Sequence, residues 1–329
     1  MDTFSPVERL FKVFDETANI LQEALSCTYL EALGETAENM FHNDVLQEEV
    51  NEIAKKRLKK QYDEVNLNST DKETVRKAYQ LAILKGMKEN TQPNHQMTPD
   101  SIGLFISYLL GKFMNQTHSY SILDPALGTG NLLLTVLNQQ SGKELHALGV
   151  EIDDVLIKLA YAGANLMEQP ISLYNQDALE PLFIDPVDAV VCDLPVGYYP
   201  NDERSKEYKL KADEGHSYAH HLFIEQSLRH TAPGGYLFFL IPNALFESPE
   251  SRKLHEFLQN EAHIQSVIQL PLSMFKNKQA AKSILVLQKK GEDIQPPKQI
   301  LLANLPSLTN PQSVQGVLTK LDKWFQENK

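Results

Sequence analysis

Cysteine is scarce: Cys27 and Cys192 are the only two in 329 residues. Neither sits in a CxxC pair or at a metal-ligand spacing, so the sequence offers no disulfide scaffold and no zinc site, and it fits a reducing compartment. Long hydrophobic runs are missing too. No apolar stretch approaches the roughly 20 residues that span a bilayer, which excludes a helical membrane anchor within this sequence. The stretch MDTFSPVERLFKVFDE carries acids where a signal peptide would carry a basic patch and an apolar segment, and we expect a cytoplasmic protein. Positive charge is in deficit, with 31 Lys and Arg against 43 Asp and Glu and a formal net charge of -12. That balance argues against a broad nucleic-acid footprint, so a DNA substrate would need its own cationic face. Neither an internal repeat nor a low-complexity tract is visible. What remains is an ordinary globular composition, 42% hydrophobic and 22% charged, long enough for one large domain and a smaller partner.

Residues 1–92 read as helical. Val7, Leu10, Phe11, Phe14, Ala18, Leu21 and Leu25 recur at three- and four-residue steps and line one apolar face. Breaks are expected near Glu35 and at Asn66–Ser69, and Ser69-Thr70-Asp71 reads as the start of a helix through Val75, Tyr79 and Ile83. The polar stretch Thr91-Gln92-Pro93-Asn94-His95-Gln96 marks a linker or domain entry. From Thr98 onward, apolar runs alternate with amphipathic ones, the pattern of an α/β doubly wound, seven-stranded, mostly parallel sheet with helices on both faces. Strands are expected near 120–124, 146–151, 171–175, 188–193, 235–241, 265–270 and 283–288. The last two have a shorter connection than the others and read as an antiparallel hairpin at the sheet edge. Residues 93–329 thus form the second domain, ending in a short ILLANL run and a helix with Trp324 and Phe325 packed back on the sheet.

The turn Asp124-Pro125-Ala126-Leu127-Gly128-Thr129-Gly130 follows the first of these strands. A dinucleotide site would place GxGxxG here, so that pyrophosphate meets bare amides at a helix N-terminus. Only Gly128 and Gly130 are present, and the carboxylate of Asp124 would repel a pyrophosphate. It would favour a cationic ligand, while the glycines admit close backbone approach and Asn131 opens the next helix. S-adenosylmethionine offers an ammonium and a sulfonium. Glu151 ends the second strand in Leu148-Gly149-Val150-Glu151-Ile152-Asp153, where an acid accepts from both ribose hydroxyls. Asp177 closes the third unit in Tyr174-Asn175-Gln176-Asp177-Ala178-Leu179, where a short acid accepts from an adenine amine. Any one of these acids has an alternative role as a turn or helix cap. In order and in register, the three describe the rim of a methyl-donor site.

These residues resemble class I S-adenosylmethionine-dependent methyltransferases, and more narrowly the adenine-specific DNA methylases related to type I restriction modification subunits. The likeness covers about residues 95–290. His95-Gln96-Met97-Thr98-Pro99 is similar to that family's entry segment, whose threonine lies near the methionine end of the cofactor. DPALGTGN, residues 124–131, resembles its DPAxGTGx loop. LFIEQSL from Leu222, Pro233-Gly234-Gly235, LIPNALF from Leu240, and Leu270-Pro271-Leu272-Ser273-Met274-Phe275 with SILVLQKK resemble its later segments. The overall likeness is to a bacterial group with a helical N-terminal domain and no separate target-recognition domain. It implies S-adenosyl-L-methionine held by Thr98, Asp124, Pro125, Ala126, Gly128 and Gly130. Asn131, Leu132, Glu151, Ile152, Asp177, Ala178 and Asp193 complete that implied set.

The resemblance also implies a catalytic loop of the form [Asn/Asp]-Pro-Pro-[Tyr/Phe] after the fourth strand. There the first side chain and the next carbonyl accept the protons of an amine, and the aromatic stacks on a base. This chain reads Asp193-Leu194-Pro195-Val196-Gly197-Tyr198-Tyr199. Asp193 and Pro195 match and the Leu194 carbonyl is retained, but Leu194 replaces a stiffening proline and Val196 the stacking aromatic. Tyr198 or Tyr199 swings in as a substitute, or the two form an ordinary loop pair. Phe275 is a further candidate. The polar stretch 200–211 is either a substrate lid or a surface loop. Lys55–Lys60 is either a phosphate contact or, with Glu48, Glu49 and Glu52 before it, a solvated helix face. His216, His220 and His221 lack an acid at ligand spacing, and no metal is expected. The leading expectation is an N-methyltransferase acting on an adenine amine of DNA, with RNA or protein as other acceptors and a recognition subunit as a possible partner. The rival is a degenerate methylase that binds the cofactor for sensing or assembly.

Overall fold

The computed structural model describes residues 4–89, 97–307 and 311–329; the linker expected at Thr91–Gln96 lies outside the described residues. Helix α1 (Pro6–Leu25) begins at a reciprocal cap, with Ser5 Oγ accepting from the Glu8 amide at 3.2 Å and Glu8 accepting from the Ser5 amide at 2.7 Å. Of the apolar face read from the sequence, Leu10, Phe14, Ala18 and Leu21 are buried and Val7, Phe11 and Leu25 partly so, and Val13, not read as part of it, is buried with them. The break expected near Glu35 falls earlier. Ser26 takes a left-handed φ of 52°, Thr28 and Glu31 form a second capping box, and α2 (Tyr29–His42) runs straight through Glu35. Helix α3 (Glu52–Tyr62) is capped by Asn51, a 3-10 turn occupies Leu67–Ser69 where an interruption was expected, and Asp71 caps α4 (Lys72–Glu89).

The alternating part follows: α5 (Asp100–Phe113), β1 (Ser119–Asp124), α6 (Asn131–Gln139), β2 (Glu144–Glu151), α7 (Asp154–Leu166), β3 (Ile171–Asn175) and β4 (Val187–Asp193). Next come α8 (Asp202–Ser205), α9 (Ala219–Arg229), β5 (Thr231–Pro242), α10 (Ser251–Glu261), β6 (Ala262–Gln269), β7 (Lys282–Lys289), β8 (Leu301–Asn304) and α11 (Pro311–Asn328). All seven expected strands form. The sheet order is β3-β2-β1-β4-β5-β7-β6-β8, so there is one strand more than expected. Leu301–Asn304, from the ILLANL run, pairs parallel with β6. Four residues carry too little period to read as a strand alone; the open edge of β6 makes them one. The β6/β7 hairpin is antiparallel as expected but lies one strand in from the edge. The pairs β1/β4 and β4/β5 are parallel.

Two compact units share the chain. One comprises residues 1–103, 127–141 and 149–176, the other 104–126, 142–148 and 177–329. In the first, Phe14, Leu21, Tyr29, Leu33, Leu58 and Tyr79 share a core with Leu134 of α6 and Leu159 of α7. Each such side chain contributes roughly 1.5–3 kcal/mol by leaving water. Tyr79 also donates its hydroxyl to the Leu159 carbonyl at 3.2 Å, and Lys158 of α7 pairs with Glu35 of α2. In the second unit, Phe113 meets Tyr236 and Phe238 of β5 and Trp324 and Phe325 of α11, with ring centroids 4.8–6.0 Å apart. This seats the last helix on the sheet, as its aromatics foretold.

Candidate active site

In the first unit, Gly128 and Gly130 both take left-handed backbone, φ 58° and 77°. A Cβ on Gly130 would lie 3.2 Å from that of Ala160 on α7, so glycine is needed there for packing as well as conformation. At Gly128 a Cβ would meet nothing within 4 Å, and the turn presents bare backbone. The Leu127 amide donates to the Val150 carbonyl at 2.9 Å, and the Gly128 amide donates to Glu151 Oε2 at 2.8 Å. Glu151 Oε1 accepts from the amides of Ile152 and Asp153 at 3.0 and 2.9 Å. Three backbone donors thus orient this carboxylate and leave about one of its four acceptor positions, on Oε2. Ile152 beside it is 65% exposed. Asp153, which sequence reasoning passed over, caps α7 through the amides of Val155 and Leu156.

Asn131 and Thr98 are brought together. The Asn131 side chain, the first in α6, donates to the Thr98 carbonyl at 2.9 Å and accepts from Arg76 Nη1 at 2.9 Å. Its amide therefore faces helix α4 and the Thr98 segment, and Leu132 beside it is buried. Arg76 was missed in the sequence. Glu73 three residues earlier hinted at a surface pair, but its other partners are 24 and 55 positions away.

In the second unit, the register Ile122↔Ala189 and Leu123↔Val190 sets Asp124 and Asp193 at the carboxyl ends of neighbouring parallel strands. That is where ligands bind in open α/β sheets, outside strand ends at the point where strand order reverses. Asp124 is 1% exposed, and its Oδ1 accepts the Ala126 amide at 3.1 Å, closing the turn over buried Pro125. This is the capping role that its position left open. Asp193 forms an ion pair with Lys282 at the start of β7, the two side chains 18% and 21% exposed. Nothing in sequence marks Lys282, 89 positions on; strand order delivers it, β7 lying beyond β5 from β4. Burial pushes the Cys192 thiol between these acids well up, aided by Asp124 and Asp193.

The loop after Asp193 is fixed at both ends. The Leu194 amide donates to the Leu240 carbonyl at 3.2 Å and its side chain is buried, so leucine packs where a proline would stiffen. Farther along, Tyr199 N donates to Ser217 O at 2.8 Å and Ala219 N to Gly197 O at 2.9 Å. The two tyrosines divide. Tyr199 is buried and donates its hydroxyl to Asp177 Oδ2 at 2.6 Å; burial, and then that bond to a carboxylate, pushes the phenol well up. Tyr198 is 63% exposed and lies flat on Tyr218, with ring centroids 5.1 Å apart and planes at 17°. Val196 is exposed and Pro195 half-buried. Asp177 Oδ1 accepts the Leu179 amide at 2.9 Å, and Ala178 is buried.

The 200–211 segment is tied down. Arg204 Nε and the Tyr208 hydroxyl both donate to the Leu179 carbonyl, at 2.7 and 2.8 Å, and the amides of Lys209 and Leu210 donate to Glu225 at 3.0 and 2.8 Å. The basic run of α3 faces outward, with Lys59 on Asp44 at 2.9 Å and Lys55 on Glu52 at 4.0 Å, the solvated face weighed above. His220 and His221 open α9 as buried, neutral rings; His216 is exposed and pairs with Asp202 at 2.9 Å. Among the described residues no group of three or more His, Cys, Asp or Glu is placed to hold a metal ion.

Parallel strands ending in acids, a glycine turn after β1 and an antiparallel β7 inserted beside β5 make up the fold of class I S-adenosylmethionine-dependent methyltransferases. Within that class the chain belongs to the N-6 DNA methylase family, whose model matches residues 70–323; residues 8–87 match the YtxK N-terminal helical domain. It is 54% identical over 324 residues to the uncharacterized protein YtxK of Bacillus subtilis (strain 168), covering 98% of both chains. A Listeria monocytogenes structure, provisionally assigned as a class I S-adenosylmethionine-dependent methyltransferase, superposes with a TM-score of 0.91 at 49% identity. The match covers 97% of this chain and 99% of that one. The type I restriction-modification methyltransferase subunit from Streptococcus thermophilus shares the fold, with a TM-score of 0.65 at 15% identity over 95% of this chain and 74% of that one.

Proposed function

We propose that this chain is an S-adenosylmethionine-dependent N-methyltransferase whose acceptor is the adenine amino group of DNA. The observation that carries the reading is Asp193, a carboxylate at the end of β4 that already accepts a nitrogen donor, the Lys282 ammonium, one strand from Asp124. An acceptor amine needs such a place: oxygens that take its N–H groups and aim its lone pair, without a protein nucleophile. Asp193 and the Leu194 carbonyl fill that role, Pro195 limits the loop, and Tyr198 on Tyr218 offers a flat face to a base.

The residues present suit the cofactor. Glu151 keeps an acceptor position for a ribose hydroxyl, Ile152 gives an exposed apolar contact for the adenine, and Gly128 leaves room for close approach. In the first unit, Gly130, Asn131 and Leu132 are assigned to the turn and Thr98, by the family resemblance, to the amino-acid end; in the second, Asp124 with Pro125 and Ala126 is assigned to the cationic groups and Asp177 with Ala178 to the adenine. When bound, S-adenosylmethionine supplies a methyl group activated by its sulfonium. Residues 1–92 and 93–329 serve in this reading as helical and catalytic domains of a cytoplasmic protein. The acidic balance calls for a recognition subunit to supply the cationic face that DNA requires.

A second reading, a cofactor-binding regulator without transfer, draws on exposed Val196 in place of an aromatic. Incubation with labelled S-adenosylmethionine and total cellular DNA, RNA and protein separates the two. Label on adenine in DNA supports the first; saturable cofactor binding with no transfer to any fraction supports the second and refutes the first. Asp124→Ala should abolish cofactor binding in either case.

A further inference from the structure

Arg76 is 1% exposed, and all five of its N–H donors are used. Nε and Nη2 donate to Glu73 at 2.8 and 2.7 Å, and Nη1 and Nη2 to Asp100 at 2.9 and 2.8 Å. The fifth goes from Nη1 to Asn131 Oδ1 at 2.9 Å. Asp100 also accepts from Gln80 Nε2 at 2.5 Å and, at the limit of 3.5 Å, from Asn131 Nδ2. Burial opposes the ionisation of Glu73 and Asp100, but the bonds from Arg76 outweigh it and hold both carboxyls below their ordinary range. Each acid also lies in the first turn of its helix, α4 or α5, where exposed amides favour negative charge.

The guanidinium has no acceptor, so Asn131 must turn its oxygen toward Arg76. Its NH2 is thereby aimed at the Thr98 carbonyl, 2.9 Å away. One cation on α4 thus decides the orientation of an amide at the start of α6 and, through it, the placement of Thr98 ahead of α5. Lysine could balance the same charges but lacks the fork that reaches three side chains at once.

We propose that Arg76 is a positioning residue for the amino-acid end of the cofactor, acting through Asn131 on Thr98 and the first turn of α6. This rests on the cofactor assignment proposed above. It makes the helical segment part of the binding apparatus, and it assigns the effect to one end of the ligand.

The test is calorimetric titration of the full chain with S-adenosylhomocysteine and with 5′-methylthioadenosine, two neutral thioethers that differ by the amino-acid end. Arg76→Lys keeps a charge between Glu73 and Asp100, and Asn131→Ala leaves that ion pair untouched, so one serves if the other fails to fold. Each should weaken S-adenosylhomocysteine about tenfold, the worth of a hydrogen bond to a fixed group, with 5′-methylthioadenosine changed by less than about twofold. The double variant should be no weaker than either single one, because both interrupt the same line. Equal weakening of both ligands, as loosened packing would produce, or no change in either, overturns the role of Arg76 while the cofactor assignment stands. Failure of the natural chain to bind S-adenosylhomocysteine overturns that assignment and this inference with it.

Discussion

Lowering the pH from 8 to 5 should destabilise this fold by about 4 kcal/mol through two adjacent imidazoles. His220 and His221 are 5% and 1% exposed, and His220 Nδ1 and His221 Nε2 have no hydrogen-bond partner. Their rings meet edge to face at 4.9 Å, and each lies just over 5 Å from Tyr218. Burial lowers the pKa of His220 from 6.5 to about 4; burial and then the neighbouring His220 lower that of His221 to about 3. Both values are depressed in the folded state, so below pH 6.5 the unfolded chain takes up two protons that the native chain refuses. Stability is therefore whole above that pH, falls as pH drops, and goes on falling until the native rings protonate near pH 4 and then 3. At about 1.4 kcal/mol per pH unit, each ring accounts for roughly 2 kcal/mol at pH 5. Urea titrations at pH 8 and 5 measure this directly. His221→Phe should remove about half of the pH dependence whatever it does to absolute stability. An unchanged difference between the two pH values in that variant would refute the assignment.

Three other expectations concern the site. Lys282→Met removes the cation facing a carboxylate that is four-fifths shielded, and should lower unfolding free energy by about 1–3 kcal/mol; adding Asp193→Asn should restore most of it, as urea titration of the pair reports. Gly128→Ala should cost only the left-handed strain, roughly 1–2 kcal/mol, while weakening S-adenosylmethionine in a binding titration. Gly130→Ala adds crowding against Ala160 and should cost roughly 2–5 kcal/mol in thermal unfolding.

Local signals were readable where neighbours in sequence are neighbours in space. The helix start at Asp71, the apolar face of α1 and the strand ending at Asp193 are of this kind. The break between α1 and α2 was misplaced because it is made by Ser26 in left-handed backbone and the Thr28 cap, whereas Glu35, a good helix former, lies inside α2 and pairs with Lys158, 123 positions away. Distance in sequence also hid Arg76 and Lys282, whose decisive contacts lie 55 and 89 residues off. Leu194 and the two tyrosines were ambiguous for a different reason. Their types suit either a loop or a core, and only packing decides that Leu194 and Tyr199 go in while Tyr198 stays out. Strand β8 exists because β6 offers it an edge.

Glu151 has one more consequence, which concerns heat and speed. Because it already holds the Gly128 amide, together with those of Ile152 and Asp153, a ribose bound as proposed above meets backbone whose ordering, about 1–2 kcal/mol per residue, was completed during folding. Association at this turn should then be fast and the affinity little burdened by induced order. In that reading a ribose hydroxyl takes the position still open on Oε2 and leaves the Gly128 amide in place, so no hydrogen bond within the turn is given up on binding.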